Sequence, residues 1–515
     1  MDLLNNLGLG LAVALTPVNV IYCLIGTALG TAVGVLPGLG PVATIALLLP
    51  LTYGLDPVTA LIMLAGIYYG AQYGGSTASI LLSLPGEISA VVTVLDGHQM
   101  ARQGRAGDAL LAAALGSFFA GCVATLMIAT VAPMLPGIAL KFGPAEYAAL
   151  MALGLAAAVT LAHGSMLKAL AMTLLGMLFG MVGTDVSSGA ERFVFDVPEL
   201  ADGIDFVAVA MGLFGIAEIV RNLEGPTSDA TAEFGCSTCH RVHWRLPRAE
   251  FRRAWPASLR GTAIGAFLGM LPGGGPVLST FASYMLEKRI SAEPQRFGRG
   301  AIEGVAGPES ANNAAAQTSF IPLLTLGLPS NAVMALMIGA LTLHGIQPGP
   351  QVMGSDPRLF WGLIASMWIG NLFLVILNLP MIGIWVRLLS LRYRLLYPTV
   401  LALCAIGAFS VGNSSATVLM TAFFGGLGYL LLKLHCDPAP LVVGFVLGPM
   451  LEENLRRAMT LARGDATLFF TRPISAALLL ASVLLLTAAG NTARRPLRSA
   501  KVTTATPAGA DKPAR

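Results

Sequence analysis

The sequence predicts an all-α polytopic integral membrane protein made of two inverted-topology repeats. Each repeat contains broken helices or re-entrant hairpins, with about 10–12 transmembrane segments in all. Three observations lead there. The 515 residues are 55% hydrophobic and only 11% charged, with mean hydropathy +0.74. A soluble globular chain carries roughly a quarter charged residues. Apolar segments follow one another with short connections. One break in this pattern, Gly34-Val35-Leu36-Pro37-Gly38-Leu39-Gly40-Pro41, returns in the second half as Gly269-Met270-Leu271-Pro272-Gly273-Gly274-Gly275-Pro276. Such a run cannot continue a helix, because proline lacks the N–H and blocks the preceding turn while glycine adds backbone freedom. In lipid the freed peptide groups must be received by protein or by a water-filled cavity. Paired breaks in two halves therefore point to a transporter's binding site.

The first repeat is expected over residues 1–220. The N-terminus has no basic n-region, so no cleavable signal peptide is read. Residues 18–36 are long enough to span, whereas 42–53 are short for a crossing of about 20 residues. The two read as a hairpin around residues 37–41. Asp56 before Pro57 reads as an N-cap. Residues 58–84 follow, with an interruption expected at 70–77. A polar loop, 96–108, carries Arg102 and Arg105. Four further segments cover 109–134, 145–161, 166–182 and 206–220.

Residues 221–257 read as a polar, Arg-rich linker on the cytoplasmic side; 221–260 hold seven Arg and no Lys against four acids. The second repeat is expected over 258–490. It opens with 258–271, the break, and 277–286, then a basic loop with Lys288, Arg289, Arg296 and Arg299. Residues 301–328 precede a break at Pro329. Later segments are 332–343, 359–386, 399–409, 416–434, 441–451 and 468–486. The basic tail, 491–515, has the composition of a disordered segment.

The repeat is legible in register. Gly26-Thr27-Ala28-Leu29-Gly30 matches Gly261-Thr262-Ala263-Ile264-Gly265, and the breaks follow at the same distance. Further on, Leu82-Ser83-Leu84-Pro85-Gly86 resembles Leu326-Gly327-Leu328-Pro329-Ser330. No Lys or Arg precedes Arg102, but the second hairpin is flanked by Arg252, Arg253 and Arg260 before it and Lys288 and Arg289 after it. By the positive-inside rule the two hairpins enter from opposite faces. The acidic stretch 185–205 then falls outside. Arg456, Arg457 and Arg463 conflict with this topology, which requires either a re-entrant segment before them or a span count shifted by one.

Several spaced motifs resemble the large membrane subunit of the tripartite tricarboxylate transporter family. They are the 34–41 run, Gly74-Gly75-Ser76-Thr77, Asp96-Gly97-His98 through Arg105, Pro308-Glu309-Ser310-Ala311-Asn312-Asn313-Ala314, and Gly345-Ile346-Gln347-Pro348-Gly349-Pro350. The resemblance spans nearly the whole chain except the linker and tail. It implies the permease subunit of a bacterial inner-membrane importer for a tricarboxylate or related carboxylate. Its implied partners are a small four-helix membrane subunit and a periplasmic solute-binding protein, and its drive a Na⁺ or H⁺ gradient. The alternative is a stand-alone ion-coupled carboxylate transporter or antiporter. No cofactor beyond the coupling ion and no nucleic acid are expected. The sequence has no His-Glu-x-x-His, Gly-x-Ser-x-Gly or Walker A motif, so no enzyme or ATPase engine is read.

A carboxylate needs N–H donors and positive dipole ends, which helix N-termini after Gly-rich breaks provide. Gly38, Leu39, Gly40 and Pro41, with Gly273, Gly274, Gly275 and Pro276, are the expected substrate-binding breaks. Ser76, Thr77, Ser79, Ser330 and Asn331 offer side-chain bonds. The plain alternative is tight helix packing at the glycines. Glu309, Asn312 and Asn313 form the most polar cluster inside a predicted membrane region and are the expected ion-coupling residues, by a proton on Glu309 or by oxygens around Na⁺. The competing reading places Pro308-Glu309 at a helix start as a cap. Glu87 reads as a first-turn acid. His98 and His344 read as loop-packing residues. Cys236-Ser237-Thr238-Cys239-His240, with His243, matches c-type haem attachment and also offers four zinc ligands; the plain reading, a linker with reduced thiols, leaves no metal centre expected.

Overall fold

The computed structural model describes every residue except 1, 37–39, 84–86, 135–141, 162–164, 186–188, 225–245, 272–274, 350, 389–397, 399–400, 403, 410–413 and 495–515. In the first half, α1 (Asp2–Ala14) and α2 (Pro17–Val35) precede the break; α3 (Pro41–Thr52) and α4 (Pro57–Leu82) follow it. A helical run over residues 88–102 leads into α5 (Ala106–Val131), α6 (Pro144–Leu161) and α7 (Met166–Gly180). A small hairpin pairs β1 (Gly183–Thr184) with β2 (Glu191–Arg192). Helix α8 runs over residues 206–224 with a π-helical middle. The second half has α9 (Arg248–Gly269), α10 (Gly275–Ile290), α11 (Glu303–Thr318), α12 (Phe320–Leu326), α13 (Ala332–Leu343) and α14 (Pro357–Asn378). It closes with α15 (Ser415–Lys433), α16 (Ala439–Leu461) and α17 (Pro473–Arg494).

Glycines set the helix directions. Gly26, Gly30 and Gly34 of α2 press on the carbonyls of Met63, Ile67 and Ala71 of α4, where a Cβ would collide with backbone oxygen. The two sets of positions rise together, so α2 and α4 run parallel. The chain must come back between them, and α3 is that returning arm. The second half repeats the device: Gly261, Gly265 and Gly269 of α9 press on Gly307, Ala311 and Ala315 of α11. Thus α9 and α11 also run parallel, with α10 returning between them. Such ladders of small residues let apolar helices approach closely where the hydrophobic effect gives no drive between them.

The halves exchange partners at the centre. Helix α5 lies along α11, with Ser117 at Asn313 and Thr125 at Gln317. Helix α14 lies along α4, with Gly362 at Val58 and Gly370 at Tyr69. Helix α4 crosses α11 and the start of α12 in the opposite direction: Ser76 meets Glu309 of α11, while the earlier Tyr68 meets the later Phe320, the first residue of α12, rings 6.4 Å apart. Both helical arms end on a left-handed residue, Ser83 (φ 60) and Gly327 (φ 69).

Four described helices are long and apolar enough to cross a membrane, over Pro17–Val35, Ala106–Met134, Pro357–Asn378 and Ser415–Lys433. Shorter apolar helices, including α3, α6, α7 and α13, stand among them. Three expectations are corrected. Helix α4 is continuous through 70–77, because these glycines face α2 (a Cβ on Gly70 or Gly74 would meet the backbone of Thr27 or Thr31) and no proline follows its first turn. Helical structure starts at Arg248, inside the stretch read as linker, and buries Ala254 and Ala257. The residues around Arg456 need no re-entrant segment: α16 is one helix, and Arg456 pairs with Asp185 at 2.9 Å and Glu452 at 2.7 Å.

Candidate functional site

The centre of the α4–α11 crossing is polar although the helices around it are not. Glu309 lies six residues into α11 and is 1% exposed. It is therefore a helix-interior carboxylate, and the cap reading is set aside: the helix starts at Glu303. Two hydroxyls close on it. Ser76 Oγ of α4 donates to Oε2, and Thr93 Oγ1 of the 88–102 run donates to Oε1. Behind them Asn313 Nδ2 donates to Ser117 Oγ at 2.7 Å and to the Glu309 carbonyl at 3.1 Å, so the i, i+4 spacing holds α5 as well as α11. Asn312, fully buried on α11, has both amide atoms without a hydrogen-bond partner among the described residues.

A second carboxyl stands close by. Glu87 makes no cap hydrogen bond, so it is not the first-turn acid expected. Ser89 Oγ lies 3.2 Å from Glu87 Oε2 and 3.0 Å from Gln72 Oε1, and Ser76 Oγ lies 2.9 Å from the Gln72 carbonyl. A chain of polar contacts thus links the two acids. Among the described residues neither acid has an ion-pair partner.

The break residues split in two. Gly38, Leu39, Gly273 and Gly274 lie outside the described residues, as do Cys236, Cys239, His240 and His243. Gly40 precedes α3 with φ −81, and a Cβ there would meet open space. Pro41 is the first residue of α3. Gly275 has φ +48, a left-handed backbone that favours glycine. It sits at the start of α10, ahead of Pro276, beside Ser330 and Asn331: its Cβ would lie 3.8 Å from the Ser330 carbonyl and from Asn331 Cβ. Asn331 caps α13 through Met334 N at 3.0 Å, and its Nδ2 donates to Tyr68 OH at 3.0 Å. One hairpin tip, the following break and α4 of the other half therefore converge. Ser330 Oγ is buried with no partner among the described residues, and so is Ser79 Oγ. Thr77 is turned back to the Tyr73 carbonyl at 3.2 Å. Asp56 caps α4 as read, through Val58 N at 3.2 Å. His98 Nδ1 contacts the Ile80 carbonyl at 3.2 Å, and His344 ends α13. Among the described residues no group of three His, Cys, Asp or Glu could hold a metal ion.

Sequence reasoning missed Thr93, Ser89, Gln72, Tyr68 and Ser117. One signal was available: Ser117, Gly121 and Thr125 recur at helical spacing inside an apolar segment, a polar stripe that in lipid must face protein.

Long apolar helices around a buried polar centre define a multi-pass membrane protein. The family described as Tripartite tricarboxylate transporter TctA family matches residues 20–443. The chain is 59% identical over 479 residues, 93% of its length and 94% of the relative's, to an uncharacterized 52.8 kDa protein in the TAR-I ttuC' 3'region of Agrobacterium vitis. It is 62% identical over 215 residues, 42% of its length and 89% of the relative's, to an uncharacterized protein in the TAR-II ttuC' 3'region of the same organism. No solved structure matches the chain. The chain belongs to the TctA family of tripartite tricarboxylate transporters, a transporter family.

Proposed function

We propose that the chain is the large permease subunit of a secondary transporter in the bacterial inner membrane. It imports a tricarboxylate or related carboxylate delivered by a periplasmic solute-binding protein, alongside a small four-helix membrane subunit, and is driven by a Na⁺ or H⁺ gradient. The substrate lies between two inverted repeats, at the tips marked by Gly38–Gly40 and Gly273–Gly275 and by Ser330 and Asn331, with Ser79 on the facing helix; Ser76 and Thr77, expected there from the sequence, turn instead towards Glu309 and the Tyr73 carbonyl. Support for inversion comes from the opposite directions of α4 and α11, the matched glycine ladders and the charges flanking the second hairpin.

The single observation that carries the coupling is Glu309, buried between the halves with two hydroxyl donors and no cationic partner among the described residues. A polyanion cannot approach two buried carboxyls unless positive charge arrives with it. Coupling to a cation follows from that electrostatic requirement. Asn312 and Asn313 belong to the same coupling cluster.

Uptake of labelled carboxylate, measured in cells carrying the binding protein and small subunit, tests the reading. Omitting the binding protein abolishes uptake. Gly40→Leu leaves the fold intact, because its Cβ points to open space, and cuts uptake at least about tenfold. Undiminished uptake in that variant removes the break from the site. Glu309→Gln changes how uptake depends on Na⁺ or pH, and an unchanged dependence removes Glu309 from coupling.

A further inference from the structure

We propose that the cavity beside Glu309 binds one dehydrated monovalent cation, held by the Glu309 carboxylate, the Ser76 and Tyr73 hydroxyls and the Asn378 side-chain oxygen. This deepens the assignment of Glu309 to coupling and rests on it. The cavity measures about 10 Å³, room for one water-sized particle. A di- or tricarboxylate does not enter it, so the substrate sits elsewhere, at the hairpin tips.

Its polar lining is Tyr73, Ser76, Thr77, Ser117, Glu309 and Asn378, with no Lys, Arg or His. Two of these groups are aimed at no protein partner. Tyr73 and Asn378 are each 4% exposed, and Tyr73 OH and Asn378 Oδ1 are buried without a hydrogen bond among the described residues. Asn378 Nδ2 is already committed to the Leu374 carbonyl at 2.9 Å, which leaves the oxygen as the free end of the amide. Thr77 and Ser117 are engaged with the Tyr73 carbonyl and with Asn313. Ser76 gives its proton to Glu309, so its lone pairs remain for a cation.

The donor set selects the occupant. Oxygen ligands suit hard cations. One carboxylate balances one positive charge, whereas Ca²⁺ and Mg²⁺ sites draw on more carboxylates, waters or phosphates. An ionised carboxylate left alone in this setting is costly, and a bound cation relieves it. The ligands come from α4, α11 and α14, so the ion ties together helices of both halves at the point where they cross.

Binding of radioactive Na⁺ to the purified full-length chain in choline buffer tests the proposal. Wild type binds Na⁺ saturably, at one per chain. Glu309→Gln abolishes binding, and Tyr73→Phe and Asn378→Leu each raise the dissociation constant about tenfold. Tyr73→Phe removes one oxygen from a side chain that otherwise stays packed, so it keeps the test open if Asn378→Leu does not fold. Wild type that binds no Na⁺, with uptake still changed in its pH dependence by Glu309→Gln, overturns the cation site and leaves Glu309 as a proton carrier. Equal Na⁺ binding by wild type and Tyr73→Phe and Glu309→Gln overturns the cavity as the location. No Na⁺ binding and no effect of Glu309→Gln on ion dependence overturns both the site and the coupling assignment.

Discussion

Asp96 shows how single residues fix this architecture. It is fully buried, yet Oδ1 accepts the backbone N–H groups of Gly298, Gly300 and Ala301, each at 2.8 Å, and Oδ2 accepts Tyr284 OH at 3.0 Å. One carboxylate from the first half therefore folds the loop between α10 and α11 of the second. Beside it Gln103 Nε2 donates to the Arg299 carbonyl at 2.9 Å. Charge-assisted bonds of this kind are strong, and orphaning buried donors is expensive. Asp96→Ala is expected to destabilise the protein by about 3 kcal/mol, read as a lowered midpoint of thermal unfolding in detergent. An unchanged midpoint would show that the loop holds without this carboxylate. The motif was legible in sequence as Asp96-Gly97-His98. Its role was not, because the three donors lie some two hundred positions away and are backbone groups that no side-chain pattern announces.

At the scale of elements, glycine spacing carried more than was read from it. In sequence the match of Gly26 and Gly30 to Gly261 and Gly265 reads as a repeat. The structure gives it a mechanical meaning, a ladder that seats α2 on α4 and α9 on α11. Residues 70–77 read as an interruption in the sequence, yet Gly70 and Gly74 pack against α2 and the helix is unbroken. Composition alone does not separate a glycine that bends a helix from one that admits a neighbour; position relative to proline does. Gly265→Val is expected to abolish the folded protein, since its Cβ would meet the Ala311 carbonyl. Gly426→Val should cost no more than about 0.5 kcal/mol, because a Cβ there meets open space. Monodispersity of the two purified variants on size-exclusion chromatography distinguishes them, and a well-folded Gly265→Val would remove the ladder from the account.

At the scale of the whole molecule the question is sidedness. The N-termini of α4 and α11 close the two hairpins, and these helices run in opposite directions. The turn after α3 and the turn after α10 therefore lie at opposite ends of the polar centre. The first carries no Lys or Arg, while the last turn of α10 carries Lys288 and Arg289, which the positive-inside rule assigns to the cytoplasm. Arg456 strained that rule when charges were only counted. In three dimensions Arg192 and Arg456 share Asp185 and Glu452, with contacts of 2.6–2.9 Å. Helix α16 runs parallel to α7, so these arginines reach the 183–205 loop at the end of α7. In a cysteine-free background a membrane-impermeant thiol reagent applied to intact spheroplasts should label Gly54→Cys and Phe195→Cys, both exposed positions, and leave Lys288→Cys unlabelled. Inside-out vesicles should reverse the pattern. Labelling of Gly54→Cys and Lys288→Cys from one side would break the inverted arrangement, because no membrane plane could then separate the ends of two antiparallel central helices.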